Sequence, residues 1–299
     1  MTALTRWASA ALALAVTAPL LGPGYLLIRD AVSTPRSYLS DGAIGLGEAA
    51  PRAVPQDFAV ASLSAVVDGG IVVKALLIAG LFLAGWGAAR LAGAVLPESG
   101  VPGQLVAATV AVWNPFVAER LLQGHWSLLL AYGCLPWVAA TVIGLRTGRS
   151  GWPALVFWIA LAGLTPTGVM LAAVVALVCS VAPGDGLSRA RTAAGILLSV
   201  VVAAAPWLTA SLLGSGLNNP QTDGLAAFAP RAEPLLGTLG SLAGLGGIWN
   251  AEAVPHSRTT GLALLGTALL LAVVACGVPA VLRARTGEPL LALAAVSIL

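Results

Sequence analysis

Charge is what this sequence has least of: 9% of its 299 residues are Asp, Glu, Lys or Arg, against 58% hydrophobic, where an ordinary soluble domain carries about 25% charge. A soluble Rossmann or barrel enzyme is excluded by that balance, and a chain that lives in a bilayer is indicated. The formal net charge of +3 comes without any run of Lys and Arg long enough to track a phosphate backbone, so nucleic acid is excluded as a partner. There is no glycine period of three, no sustained heptad and no repeat of domain-building length, which removes collagen, coiled coil and solenoid. Cysteine is sparse. Cys134, Cys179 and Cys276 each sit inside an apolar run with no CxxC spacing, so neither disulfides nor structural zinc are expected.

What is present is long apolar stretches. A hydrocarbon core of roughly 30 Å takes about 20 helical residues, and runs of that order, ended by charge, Pro or Gly, fall at 7–28, 71–95, 102–118, 126–145, 152–165, 168–182, 194–213 and 259–282, with a partial ninth opening at 289. The fold expected is an all-α polytopic transmembrane helical bundle of about nine spans, the last truncated, forming a single transmembrane domain over 1–299 that is the N-terminal part of a longer chain. The first run is of span length and others follow it, so it reads as an uncleaved helix rather than a secretory signal. Thr165-Pro166-Thr167-Gly168 supplies turn chemistry between two short runs and predicts a tight helical hairpin. Trp113-Asn114-Pro115 ends or kinks the third span.

Sidedness follows from the loops. With the N-terminus cytoplasmic, the inside arginines all lie in short connections near span ends, whereas Arg36, Arg52 and Arg231 lie in two long outer segments, 29–70 and 214–258, which weigh little in the positive-inside rule. The acids then divide three inside (Glu98, Asp185, Glu288) against nine outside, and His125 and His256 are outside as well. A multi-pass plasma-membrane protein is expected whose acid–base chemistry, if it has any, is extracytoplasmic. An outer surface that is merely polar would show the same division.

Three segments hold the candidate site residues. Arg29-Asp30 places a carboxylate just beyond the first span, where it deprotonates an acceptor hydroxyl, holds a metal, or simply pairs with its neighbour at a helix end. PRAVPQD, residues 51–57, has two prolines to fix its backbone and offers Arg52 to a phosphate and Asp57 to a sugar hydroxyl, or the two to each other. The densest is WNPFVAERLLQGHW, 113–126, which packs Asn114, Glu119, Arg120, Gln123 and His125 between interfacial tryptophans. If 116–124 is helical, Glu119 and Gln123 share a face with Arg120 beside them. The second long loop is rich in Gly, Asn and Pro; its apolar stretch 235–249 lies on or dips into the membrane, and Asp223, Asn250, Glu252 and His256 are held in reserve.

One N-terminal span, an outer loop opening RD, then PRAVPQD and NPFVAERLLQGHW, together resemble actinobacterial envelope proteins related to the GT-C glycosyltransferases, in particular arabinofuranosyltransferases of the alpha-(1→3) type. The recognisable words cover about residues 1–150; beyond them only the rhythm of spans is shared. The resemblance implies a GT-C-like fold and an enzyme that takes a sugar from a polyprenyl-phosphate donor in the membrane lipid and passes it to an envelope glycan or lipid acceptor. It further implies an acid in the first outer loop acting as base or ligand of a divalent metal. Asp30 matches that position, but residue 32 is Val32, so the paired acids of a DxD or ExD motif are missing. On this reading Asp30 is the base, with Arg120, His125 or Arg52 at the phosphate. A multi-span transporter or lipid flippase, and a non-catalytic scaffold of an envelope-synthesis complex, are the competing readings; against the transporter, span interiors hold almost no ionisable residue.

Overall fold

The computed structural model describes residues 3–47, 53–213 and 224–297. It is nearly all helical, at 72% helix and 2% strand. In chain order the elements are α1 (Ala3–Thr17), the strands β1 (Leu27–Ile28) and β2 (Ala31–Val32), α2 (Asp41–Ile44), α3 (Gln56–Leu63), α4 (Gly69–Val95), α5 (Gly100–Val112), α6 (Pro115–Gln123) and α7 (Trp126–Arg146). There follow α8 (Trp152–Ala162), α9 (Pro166–Cys179), α10 (Arg189–Leu213), α11 (Gly224–Ala227), α12 (Gly237–Ala243), α13 (Leu262–Arg283) and α14 (Glu288–Val296).

Six helical segments among the described residues are long and apolar enough to cross a membrane: Ala3–Leu20, Gly69–Val95, Pro97–Gln123, Trp126–Arg146, Arg189–Leu213 and Leu262–Arg283. The runs at 152–165 and 168–182 form α8 and α9, of 11 and 14 residues. At about 1.5 Å per residue neither reaches across roughly 30 Å of hydrocarbon. The break between them is the expected one: Thr165 caps α9, its hydroxyl accepting from Gly168 N at 2.9 Å, and Pro166 occupies the first turn. The ninth run is the 9-residue α14.

The helix α7 is the hub, packed against α4, α8 and α9. It runs parallel to α4, with Gly80 beside Leu130 and Gly87 beside Trp137, while α5 returns between them in sequence. The α4–α7 crossing is closest at two glycines. A Cβ on Gly133 would stand 2.2 Å from the Gly80 carbonyl oxygen, and one on Gly80 would stand 2.7 Å from the Leu130 Cα. Apolar burial drives helix association weakly in a bilayer, so close backbone approach and van der Waals contact carry it. Trp137 adds a polar stitch, its indole N–H donating to Leu83 O at 2.9 Å.

The two ends of the bundle differ in chemistry. At one end Arg146 donates to the carbonyls of Ala182 and Leu187, and Arg285 meets Asp185 at 3.5 Å. Arg6 stacks over Trp86, and Arg90 over Trp137. At the other end α1 finishes, α4 and α7 begin, and the strand pair and α2–α3 are laid over them.

Replacing Gly133 by Val is expected to destabilise the protein by about 2–3 kcal/mol, the cost of forcing a side chain into a filled contact. Gly277→Ala in α13, where a Cβ meets nothing within 4 Å, should be neutral or slightly stabilising. Unfolding midpoints of the two variants in detergent check the contrast.

Candidate functional site

The site begins with a hairpin. β1 and β2 pair antiparallel with Leu27 opposite Val32 and Ile28 opposite Ala31, so Arg29 and Asp30 are the two turn residues. Arg29 takes a left-handed conformation, φ 48°, which costs a non-glycine residue of order 1 kcal/mol and persists only where surroundings enforce it. Its guanidinium supplies that enforcement by donating to Leu122 O from Nη1 and to Glu252 O from Nη2. The base of the hairpin is tied to α4: Tyr25 donates to Asp68 at 2.8 Å, Asp68 caps α4, and Lys74 donates to the carbonyls of Gly22 and Gly24.

Beneath the hairpin lies the turn from α6 to α7. Asn114 caps α6, its Oδ1 accepting from Val117 N at 3.0 Å, with Pro115 in the first turn. Gly124 ends α6 in the left-handed region, φ +85°, and a Cβ there would stand 2.5 Å from both Ile28 O and Ala31 N. Only glycine lets the hairpin sit this close. As a result Asp30 N donates to Gln123 O at 3.1 Å, and the Asp30 side chain drops onto the polar edge of the α6–α7 turn.

There Asp30 Oδ2 accepts two hydrogen bonds, from His125 Nε2 at 2.7 Å and Gln123 Nε2 at 3.0 Å. On the far side of the imidazole, Arg120 Nη1 lies 3.4 Å from His125 Nδ1. Arg120 also lies over the Phe116 ring, 5.1 Å from its centroid. The His125 pKa is held below its ordinary 6.5, chiefly because burial disfavours the cation and secondly because Arg120 repels it, against the attraction of Asp30. The imidazole is therefore neutral at pH 7, with its proton on Nε2 toward the carboxylate and its lone pair on Nδ1 toward Arg120.

The other side of Asp30 is open. It lines a cavity of about 590 Å³ whose wall also includes Ser33, Thr34, Tyr38, Gln56, Asp57 and Trp126. Asp30 Oδ1 makes no hydrogen bond among the described residues, and its side chain is 54% exposed. Asp57, from the first turn of α3, faces the same space, and partial desolvation there raises its carboxyl above the usual range. Hydroxyls, acids and two aromatic rings are the chemistry of a polyhydroxylated ligand. The cavity shares the wall residue Ala43 with a second, apolar cleft of about 620 Å³ between α2–α3 and α10, formed by Ile44, Phe58, Val202, Pro206, Ala210 and Leu213 among others. A polar chamber thus abuts an apolar one at the end of a helix of span length.

The residues singled out from the sequence separate into three groups. Asp30, Arg120, His125 and Asp57 are at or directly behind the cavity, although Arg120 and His125 back Asp30 and do not line the space. Asn114 and Glu119 are elsewhere: Asn114 is spent as a helix cap, and Glu119, 1% exposed, accepts from Gly247 N and Ile248 N at 3.2 and 3.1 Å. Arg52 lies outside the described residues, as does Asp223. From the reserve group, Asn250 and Glu252 join the site; Asn250 Nδ2 donates to Gln123 Oε1 at 2.8 Å. His256 is exposed on the turn before α13 and takes no part. Ser33, Tyr38, Trp126 and Ala43 were not legible in advance, because their role is set by a cavity wall and not by any spacing.

Behind this site the segment 231–258 is fastened by buried charge. Arg258 donates from Nε to Glu233 Oε1 at 2.9 Å, from Nη2 to Glu233 Oε2, and from Nη1 to Thr267 at 3.3 Å. Glu119 holds its middle and Asn250 its approach to Asp30. Among the described residues no three His, Cys, Asp or Glu side chains stand together as a metal site. Asp30 Oδ2 is taken by two N–H donors, and Val32 stands where a paired acid would supply a second ligand, so the hairpin by itself offers one carboxylate oxygen, Oδ1. Comparison with models of protein families, with curated proteins and with solved structures finds nothing that matches this chain.

The neutral state of His125 sets a pH dependence. Because the folded protein binds this proton less readily than the unfolded chain, the stabilisation is fully present above about pH 6.5. It is lost as pH falls through the lower folded value. The unfolding midpoint is expected to drop on acidification through this window, and His125→Gln should flatten that slope. Gly124→Ala should break the seat of the hairpin and abolish the Asp30–His125 contact, observable in NMR as loss of the hydrogen-bonded Nε2–H resonance of His125.

Proposed function

We propose that this protein is a membrane glycosyltransferase that moves a sugar from a polyprenyl-phosphate donor to a hydroxyl of a cell-envelope glycan or lipid. The observation that carries the reading is the junction of the two chambers at Ala43: a polar cavity with Asp30 in its wall, abutting an apolar cleft on α10. An amphiphile with a sugar headgroup and a hydrocarbon tail has that division of chemistry. The words RD, PRAVPQD and NPFVAERLLQGHW support the same reading by resemblance.

On this reading Asp30 Oδ1 accepts the proton of the acceptor O–H as the acceptor oxygen forms its bond to the anomeric carbon. The bond from that carbon to the phosphate oxygen breaks, and its electron pair leaves with polyprenyl phosphate. The protein has chiefly to position the acceptor and supply a base, since the leaving group is already a good one. His125 and Gln123 donate to Oδ2 and hold the carboxylate so that Oδ1 faces the cavity. Arg36 stacks over the Tyr38 ring that lines the cavity without itself lining it, and on this reading it meets the departing phosphate. The site faces the extracytoplasmic side, in keeping with the charge distribution of the loops.

Transfer from a radiolabelled polyprenyl-phosphate sugar in liposomes tests the proposal. Asp30→Asn should cost about 10²–10⁴ in kcat, as removal of a general base does. Ala210→Trp, filling the apolar cleft, should raise KM for the lipid donor at least tenfold with kcat little changed. Full activity of Asp30→Asn, or vectorial uptake of a solute without any transfer, would overturn the enzyme reading.

A further inference from the structure

The hydrogen bonds behind Asp30 have a direction. The backbone N–H of Glu252 can only donate, and it donates to Asn250 Oδ1 at 3.0 Å. That leaves the Asn250 amide nitrogen to donate onward to Gln123 Oε1 at 2.8 Å. Gln123 is then bound to present its own amide nitrogen to Asp30 Oδ2, at 3.0 Å, and the carboxylate can only accept. Both ends of the chain fix its polarity, so neither amide is free to turn over. Glu252 is itself held, its carbonyl accepting from Arg29 Nη2 at 2.7 Å. Arg29 adjoins Asp30 in the hairpin turn, which closes the loop of contacts.

We propose that Asn250 is a positioning residue for Asp30, acting through Gln123: it fixes which face of the Gln123 amide meets the carboxylate and so keeps Oδ1 turned to the cavity. The proposal rests on Asp30 as the base of the transfer reaction, and it adds a residue some 220 positions away, on a different loop, to the apparatus that sets that base.

The substitution Asn250→Asp isolates the effect. It preserves shape but removes the donor, so Gln123 turns its N–H₂ toward the new carboxylate and its carbonyl oxygen toward Asp30. Oxygen then faces oxygen, and Asp30 gains affinity for a proton. Asn250→Ala removes the restraint without forcing the turn, and its effect should be smaller. Asn250→Ser, whose hydroxyl both accepts and donates, should retain most of the native behaviour.

The test is made on the full chain in lipid nanodiscs, by the pH dependence of Asp30 labelling with a water-soluble carbodiimide, which reacts with the protonated carboxyl, read by peptide mass spectrometry. Asn250→Asp is expected to move half-labelling upward by about one pH unit, a shift of the size that loss of a hydrogen bond to a carboxylate produces. The acid limb of the transfer pH profile should move with it. In a Gln123→Ala background Asn250→Asp and Asn250→Ala should become indistinguishable. A persisting shift there would mean that the new charge acts on Asp30 directly, and the relay would be overturned. So would an unshifted labelling profile in a folded Asn250→Asp protein that retains transfer. Absence of transfer from the native protein, with the labelling order as stated, would overturn the enzymatic reading and leave the positioning role standing.

Discussion

The approach of Gly124 to the Arg29–Asp30 turn is the contact on which the site depends. Two peptide groups of the hairpin stand where a Cβ would be, and from that closeness come the backbone bond between Asp30 and Gln123, the reach of the carboxylate to His125, and the guanidinium of Arg29 on Leu122 O. The left-handed backbone of Arg29 is offset by the bonds its own side chain makes. Strain and restraint reside in the same residue, which places the acid beside it with little freedom.

The polar contacts around this turn form a connected set. Glu119 and Asn250 hold the 246–252 stretch against α6; the Arg258–Glu233 pair holds the rest of that segment against α13. A buried ion pair is weak evidence for stability in itself, since desolvation of both partners offsets the attraction. Its value here is geometric: Arg258 spreads its donors over Glu233, Ala263 and Thr267 and so ties the loop to the start of α13.

Most helices were legible because hydrocarbon demands long uninterrupted apolar runs, and the turns because Asn114-Pro115 and Thr165-Pro166 carry cap and breaker together. The number of spans was less so. Apolarity marks 152–165 and 168–182 as membrane-like, yet the Thr165 cap leaves each piece too short, and composition does not say how a short apolar helix is accommodated. At the site, the density of polar groups in 113–126 pointed to the right connection but not to the roles within it. Glu119 and Gln123 are one helical turn apart, as expected; Glu119 nonetheless faces the backbone of a loop 128 residues further on, and Gln123 faces Asp30. The partners of both come from long-range folding, which no local spacing encodes. Asn250 joined the site for the same reason.

The outward surfaces of α10 and α13 carry Leu198, Leu212, Leu269 and Leu282 at more than 60% exposure. Such a molecule is as oily outside as in, so the gain from hiding grease, which organises a water-soluble protein, has little left to distinguish one arrangement of these helices from another. Glycine-sized notches and a few directional N–H and C=O pairings must then carry the selection. A notch filled or a pairing removed there weighs more on which arrangement forms than the loss of a leucine from the rim.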